Sequence, residues 1–399
     1  MEIINPLKDN NQEILSMYLP KGFYTCSKNL GIKDETLDFT VIYSTTLATA
    51  AAMFTQSRFC GAPIPIGRKN VANGRLQCFV INSKNANVAT GEEGIANVKE
   101  IIHLIGEELN ISPEDILPSS TGVIGRQLPM EKIRKGIKGL KNQMIQGGFE
   151  KAAEAIMTTD TYPKMRVCKV GSATLVGIAK GSGMIEPNMA TLLAYFVTDA
   201  KIPSDTLKEF LEEAVNKSFN MVSIDTDTST SDTVAIMANG LAGKVNFDDF
   251  RTALTNMAIE LAKEIARDGE GATKLLEVIV EEASSFAQAK KVGKKIVNSP
   301  LVKTAIFGTD PNWGRIAMAI GKCEEEVEIS PEKVSIFFGT IPVYKGKPVN
   351  DLDLEQIRKY LQGSEITIRV SLGLGKDTAT VWGCDLSYDY VRINGEYTT

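Results

Sequence analysis

Hydrophobic positions along the chain follow two rhythms. Ile95, Val98, Ile101, Ile102, Ile105 and Leu109 recur at intervals of three and four, which predicts an amphipathic helix over 92–109. The same period predicts helices over 149–157, 204–219 and about 247–267. In 204–219, Ser204 is placed to cap, and Leu207, Phe210, Leu211, Ala214 and Val215 form the buried face. Between the helices lie short runs rich in β-branched and aromatic residues: 79–82, 165–170, 174–179, 192–198, 276–280, 334–338, 365–372 and 378–386. Several are neighbours, so antiparallel pairing is expected. Gly373-Leu374-Gly375 between the last two predicts a hairpin near the end of the chain. Helix and strand patterns mix throughout without a repeat, a low-complexity tract or an obvious linker. That mixture predicts a layered α/β (α+β) fold, with sheets covered by helices.

Composition narrows the function more than the fold. A chain of 399 residues has room for about two or three packed units. Hydrophobic residues at 43% and charged residues at 23% describe an ordinary folded protein. The balance of 44 Lys+Arg against 49 Asp+Glu, a net charge of −5, lacks the basic excess that nucleic acids or anionic membranes attract, so neither partner is expected. The best apolar run, Thr46 to Phe54, is far shorter than the roughly 18 residues of a membrane span, and Met1 to Leu15 is too polar for a signal peptide. The cysteines at 26, 60, 78, 168, 323 and 384 form no CxxC pair and show no metal-ligand spacing. A soluble protein of the reducing cytoplasm, without a metal, is expected.

The count that excludes most is a single histidine. His103 lies on the polar side of the 92–109 helix, where a surface role is expected. With no other imidazole, neither a Ser-His-Asp triad nor a multi-histidine metal site is available, so an enzyme built from this chain needs another base.

Three loop-like segments have residues suited to chemistry. Pro118 to Gly125 (PSSTGVIG) offers small residues whose backbone N–H groups suit an anion or a developing oxyanion, although its composition equally describes a turn. Ala179 to Thr191 (AKGSGMIEPNMAT) runs through glycines and a Pro-Asn turn into a buried strand. It is not a P-loop, because its lysine precedes the glycines and no helix follows. Thr191 at its end is either an ordinary strand-entry threonine or a nucleophile. As a nucleophile without histidine, it has one known solution: to become an N-terminus whose own α-amine, with an unperturbed pKa of roughly 7.7–8.0, is the base. That requires a cut between Ala190 and Thr191. The third segment, Ser223 to Thr233, alternates carboxylates and hydroxyls but lacks the glycine and terminal glutamate of an EF-hand, and reads as a polar loop stitched by its own hydrogen bonds.

The segment Lys180 to Leu193 (KGSGMIEPNMATLL) resembles the self-cleavage region of the ornithine acetyltransferase family, also called glutamate N-acetyltransferase. The resemblance runs the length of the chain. It includes Asn82 to Asn87 with Thr90-Gly91, Ser120 to Gly125, Thr158-Thr159-Asp160-Thr161, Asp225 to Asp232, Asp268 to Lys274, Gly308 to Arg315, and Asn394 five residues before Thr399. It implies an αββα-type layered fold akin to that of related aminopeptidases, and self-cleavage into an α chain, 1–190, and a β chain, 191–399, that fold together and assemble as α2β2. It further implies that Thr191 is the nucleophile with its own amine as base, that the Thr121 hydroxyl and Gly122 N–H form the oxyanion hole, and that Thr158, Lys180, Thr191, Glu270, Asn394 and Thr399 bind substrate. Thr159 stands beside Thr158 as an alternative. The implied reaction carries the acetyl group of N2-acetyl-L-ornithine to L-glutamate through an acetyl-Thr191 enzyme, in the cyclic route to arginine. No cofactor or metal is implied, and acetyl-CoA is left open as a second acetyl donor. The Asp225 to Asp232 and Asp310 to Arg315 motifs are read as structural support. A related amidase or aminopeptidase with an N-terminal nucleophile is the competing enzyme reading, and a metabolite-binding protein using the glycine loops is the non-enzymatic one.

Overall fold

The computed structural model describes residues 2–8, 12–186 and 192–396. Two sheets organise them. The first holds β1 (Phe23–Lys28), β2 (Phe39–Phe54), β3 (Arg75–Asn82), β4 (Ile116–Ser120), β5 (Ile145–Gln146), β6 (Lys164–Val170), β7 (Ala173–Lys180), β8 (Leu193–Lys201) and β9 (Thr233–Lys244). Its main path runs β4-β3-β2-β9-β8-β7-β6, with β1 and β5 paired beside β2. The second holds β10 (Leu275–Ala283), β11 (Ser335–Phe338), β12 (Ile341–Lys345), β13 (Glu365–Ser371) and β14 (Asp377–Cys384), in the order β12-β11-β13-β10-β14.

The central strands of the first sheet are buried on both faces, which is why they read as apolar runs rather than as alternating patterns. In β8, Leu193, Tyr195 and Val197 enter one core with Phe149 and Ala152, while Ala194, Phe196 and Ala200 enter another with Leu211 and Phe250. The helix Phe247–Arg267 packs against β6 and β7 of the first sheet and against β10 and β14 of the second, tying the two together. The mixed, layered α/β architecture expected from the pattern is therefore what forms.

Helices expected over 92–109, 149–157, 204–219 and 247–267 occur as Gly91–Leu109, Phe149–Ala155, Ser204–Lys217 and Phe247–Arg267. His103 lies exposed on the first of these, 3.2 Å from Glu107 one turn on. Two local expectations fail. Ser204 is not the cap: Pro203 holds that position and no side chain caps the helix. Nor do the last two strands form a hairpin. Leu374 and Gly375 donate their N–H groups to Glu282 O, so the chain passes over the end of β10, and β10 lies between a parallel β13 and an antiparallel β14. A glycine-rich connection allows a tight turn but does not choose which strand the chain pairs with next.

Among the described residues, all six cysteines are unpaired, no helix is long and apolar enough to cross a membrane, and no group of three or more His, Cys, Asp or Glu residues is arranged to hold a metal ion.

Candidate active site

The antiparallel pair β7–β8 sets the site's position. Its register places Lys180, the last residue of β7, opposite Leu193, the first of β8, so the connection between them is the glycine segment that ends at Thr191. Ala190 and Thr191 lie outside the described residues, as does Thr399. The described part of the segment is held by its neighbours. The Met184 and Ile185 N–H groups donate to the Asp225 carboxylate at 2.6 and 2.7 Å. Glu186 N–H reaches Asp227 O at 3.0 Å, and its carboxylate accepts from Ser223 Oγ and Asn298 Nδ2. The Asp225 to Asp232 motif thus acts as a clamp on the approach to residue 187.

Six of the expected residues come from five separate stretches of sequence and line one cavity of about 120 Å³: Thr121, Gly122, Thr158, Lys180, Glu270 and Asn394. Thr159 lines it as well, its hydroxyl 2.6 Å from Ser182 Oγ, so both adjacent threonines reach the cavity.

Gly122 sits at φ 130°, and a Cβ there would lie 2.2–2.6 Å from the backbone of Lys84, so only glycine fits. On either side, Thr121 N–H donates to Asn82 O and Val123 N–H to Lys84 O. The Gly122 N–H donates to no partner among the described residues. A loop held at both flanks with one N–H left over has the form of an oxyanion donor.

Lys180 is buried, and its ammonium lies 3.9 Å from Asp160. Burial pulls its pKa below the ordinary lysine range, Asp160 opposes that, and the nearby Lys164 adds to it. Asp160 falls within the Thr158 to Thr161 motif, where its residue type alone assigns it no role. Burial alone would raise its carboxyl. Instead Lys164 at 2.8 Å, Lys180 and the Gly181 N–H at 2.6 Å hold it well below the usual carboxylate range. It is a buried anion that lets two lysines sit under the cavity, and Lys164 also meets Asp268 at 2.5 Å.

Glu270 is placed by its own N–H, which donates to Ser182 O at 2.8 Å, and its carboxylate accepts from Asn394 Nδ2, also at 2.8 Å. Asn394 comes from the helix Tyr388–Glu396, where Tyr388 packs edge-on against Phe307 at 5.7 Å. The Asp310 to Arg315 motif lies apart from the cavity. Arg315 donates to Leu301 O at 2.7 Å and lies 3.9 Å from Asp310, consistent with a structural part.

A hydroxyl, a spare backbone N–H, a buried ammonium and a carboxylate-amide pair around one small cavity are groups suited to an acyl group on a small charged molecule. Fold and site define the class as an enzyme. The chain belongs to the ArgJ family, whose model matches residues 25–399, and is with it an acyltransferase. It is 52% identical over 386 residues to arginine biosynthesis bifunctional protein ArgJ 2 of Clostridium acetobutylicum, covering 96% of this chain and 99% of that protein. It is 49% identical over 385 residues to glutamate N-acetyltransferase Oat2 of Streptomyces clavuligerus, covering 95% of this chain and 98% of that one. Among solved structures it is similar to the arginine biosynthesis bifunctional protein argJ of Bacillus halodurans, at 43% identity and a TM-score of 0.48, over 50% of this chain and 96% of that one.

Proposed function

We propose that this protein moves the acetyl group of N2-acetyl-L-ornithine to L-glutamate, yielding ornithine and N-acetylglutamate in arginine biosynthesis. The observation that carries this reading is the meeting of Thr121, Gly122, Thr158, Lys180, Glu270 and Asn394 in one cavity at the start of the β7–β8 connection, in a chain of the ArgJ family.

The chain first cuts itself. The Thr191 hydroxyl attacks the Ala190 carbonyl carbon, the acyl group passes from nitrogen to oxygen, and water hydrolyses the ester, leaving Thr191 with a free amine. In turnover that amine takes the hydroxyl proton as the oxygen attacks the acetyl carbonyl, while the Gly122 N–H and Thr121 hydroxyl stabilise the oxyanion. As the C–N bond breaks, the ammonium returns the proton to the departing ornithine nitrogen. Glutamate then enters the same site and takes the acetyl group from Thr191 by the reverse steps. One site serves both substrates because both carry an α-carboxylate and an α-nitrogen. Lys180 pairs with the carboxylate, the Glu270–Asn394 pair receives an amino group, Thr158 contacts the bound molecule, and Thr399 closes the site. No cofactor takes part. Acetyl-CoA is a candidate second donor, since several relatives are named bifunctional, and a direct assay with acetyl-CoA and glutamate decides it. The two chains assemble as α2β2, which native mass measurement tests.

The deciding experiment incubates purified protein with N-acetylornithine, with and without glutamate. N-acetylglutamate is expected only when glutamate is present. Glutamate-independent release of acetate as the main reaction would instead make this an amidase. In parallel, intact mass should show wild type as two chains and Thr191→Ala as one uncut, inactive chain.

A further inference from the structure

One buried group at this site has no part in the steps above. Asp232 immediately precedes β9 and is 3% exposed, and neither of its carboxylate oxygens has a hydrogen-bond partner among the described residues. It faces a pocket of about 20 Å³ shared with Thr121, Lys180, Leu192 and Ser229. Its place is fixed by backbone bonds on both sides: Thr233 N–H donates to Leu192 O at 3.1 Å, and Thr55 N–H donates to Asp232 O at 3.1 Å. Burial pushes the carboxyl well above its ordinary range, and the positive charge of Lys180 offsets this only in part. A carboxyl so placed lacks a close donor, preferably a cationic one. Lys180 is committed to Asp160 at 3.9 Å, and no ion pair joins it to Asp232.

Leu192 follows Thr191 directly and lines the same pocket as Asp232, so the carboxyl faces the residue that is joined to residue 191 by one peptide bond. In the uncut chain the residue 191 nitrogen is an amide. After the cut proposed above it is an amine that becomes cationic each time it takes up a proton.

We propose that Asp232 is a positioning residue for the nucleophile: its carboxylate accepts a hydrogen bond from the freed α-amine of Thr191 and balances the charge of the ammonium formed during acyl transfer. Asp232 gains no proton. The proton still passes from the Thr191 hydroxyl to the amine and on to the departing nitrogen, and Asp232 fixes where the amine points and how basic it is. The inference rests on the cleavage and acetyl-enzyme reading. The charged groups around this spot are Lys180 at the end of β7 and, around Lys180, Asp160, Lys164 and Glu270; the pocket otherwise presents hydroxyls from Thr121, Ser229 and Ser231.

The test is the pH dependence of kcat/KM in Asp232→Asn, with N-acetylornithine as donor. Removing a negative neighbour lowers an amine's pKa, so the acid limb should move to lower pH by about one unit, and kcat should fall about 10- to 100-fold with KM little changed. Asp232→Glu, which keeps the charge, should keep the wild-type limb. The limb's position does not depend on the fraction of folded enzyme, so poor folding does not mask it. If the Asn variant gives no folded protein, Asp232→Ser carries the same comparison. An unmoved acid limb with a raised KM would overturn the proposal, because the carboxyl would then serve Lys180 and the substrate. Thr191→Ala separates the two levels: if that variant is still cut, the underlying reading fails, whereas an uncut Thr191→Ala beside an unmoved limb defeats only the role of Asp232.

Discussion

At the level of single residues, the site depends on how a buried lysine is kept charged. Lys180 would pair with substrate only while protonated, and burial works against that. Asp160 offsets the cost and is itself held ionised by Lys164. Asp160→Asn should therefore cost about 3–5 kcal/mol of stability at neutral pH, because it leaves Lys164 and Lys180 short of their shared anion. The sign of the pH dependence follows from the depressed folded pKa: the stabilisation is present above the ordinary carboxylate pKa and lost as pH falls through the folded value. Urea denaturation of wild type and variant should show a gap that is full near pH 7 and narrows in strong acid; a gap independent of pH would refute the ion-pair account. Lys180→Met should act differently. It removes an ammonium that pays a desolvation cost, so the melting temperature should hold while KM for acetylornithine and glutamate rises about 10- to 100-fold, the worth of one charge-assisted contact. A fall in kcat with KM unchanged would place Lys180 in the chemical step instead. Asp160 belongs to a recognised motif, but the need for it is not legible in the sequence, because its partner Lys164 comes near Lys180 only when β6 pairs alongside β7 and sets Lys164 opposite Ala179.

Among the elements, the β7–β8 connection carries the site, and its glycines are spaced for what lies over them. A Cβ on Gly183 would come within 2.4–2.5 Å of the Glu270 carboxyl group. Gly183→Ala should push that carboxylate away from Asn394 and raise KM with little loss of stability, since the displaced atoms end a flexible side chain. Unchanged kinetics would mean that the Glu270–Asn394 pair does not contact substrate. The pattern along the chain located most strands and the helices Gly91–Leu109, Phe149–Ala155, Ser204–Lys217 and Phe247–Arg267, but it left the other helices unread and missed the length of β2, a strand of 16 residues of which only Thr46 to Phe54 stood out as apolar. β2 pairs with β1 over its first half and with β9 over its second, with an irregularity against β3 between Tyr43 and Ala48, so no single period runs through it. The expected final hairpin failed for a similar reason: strand partners are chosen by sheet packing, and β10 was the better neighbour for both β13 and β14.

Across the whole molecule, the proposed cut falls inside one sheet. β7 pairs with β8 from Leu175 to Lys180, β8 pairs with β9, and β9 with β2, so residues on both sides of position 190 share the same ladders. One core likewise joins Ala51, Leu175 and Ala179 to Ala194, Ile236 and Val278. The two chains should therefore remain together after cleavage, separating in denaturant but not in native buffer or salt. Size-exclusion chromatography of the cleaved protein checks this, and a free α or β chain in native buffer would show that the sheet does not hold across the cut.

The sequence by itself determined the class of fold, because apolar period and length are local properties. It also determined the kind of enzyme: collinear motifs along the chain are those of an acyltransferase family, and the single histidine with a glycine segment ending at Ala190-Thr191 is what motivates the proposal of an N-terminal threonine. Tertiary structure decided which strands neighbour which, that Asp160 is the buried anion beneath the cavity, that the Asp225 to Asp232 segment clamps the approach to residue 187, and that Asp232 lies beside Leu192. These depend on contacts between residues tens to more than a hundred positions apart. A one-dimensional pattern records what each residue is, whereas burial, and with it the cost of an unpaired charge, exists only once the chain has closed around it.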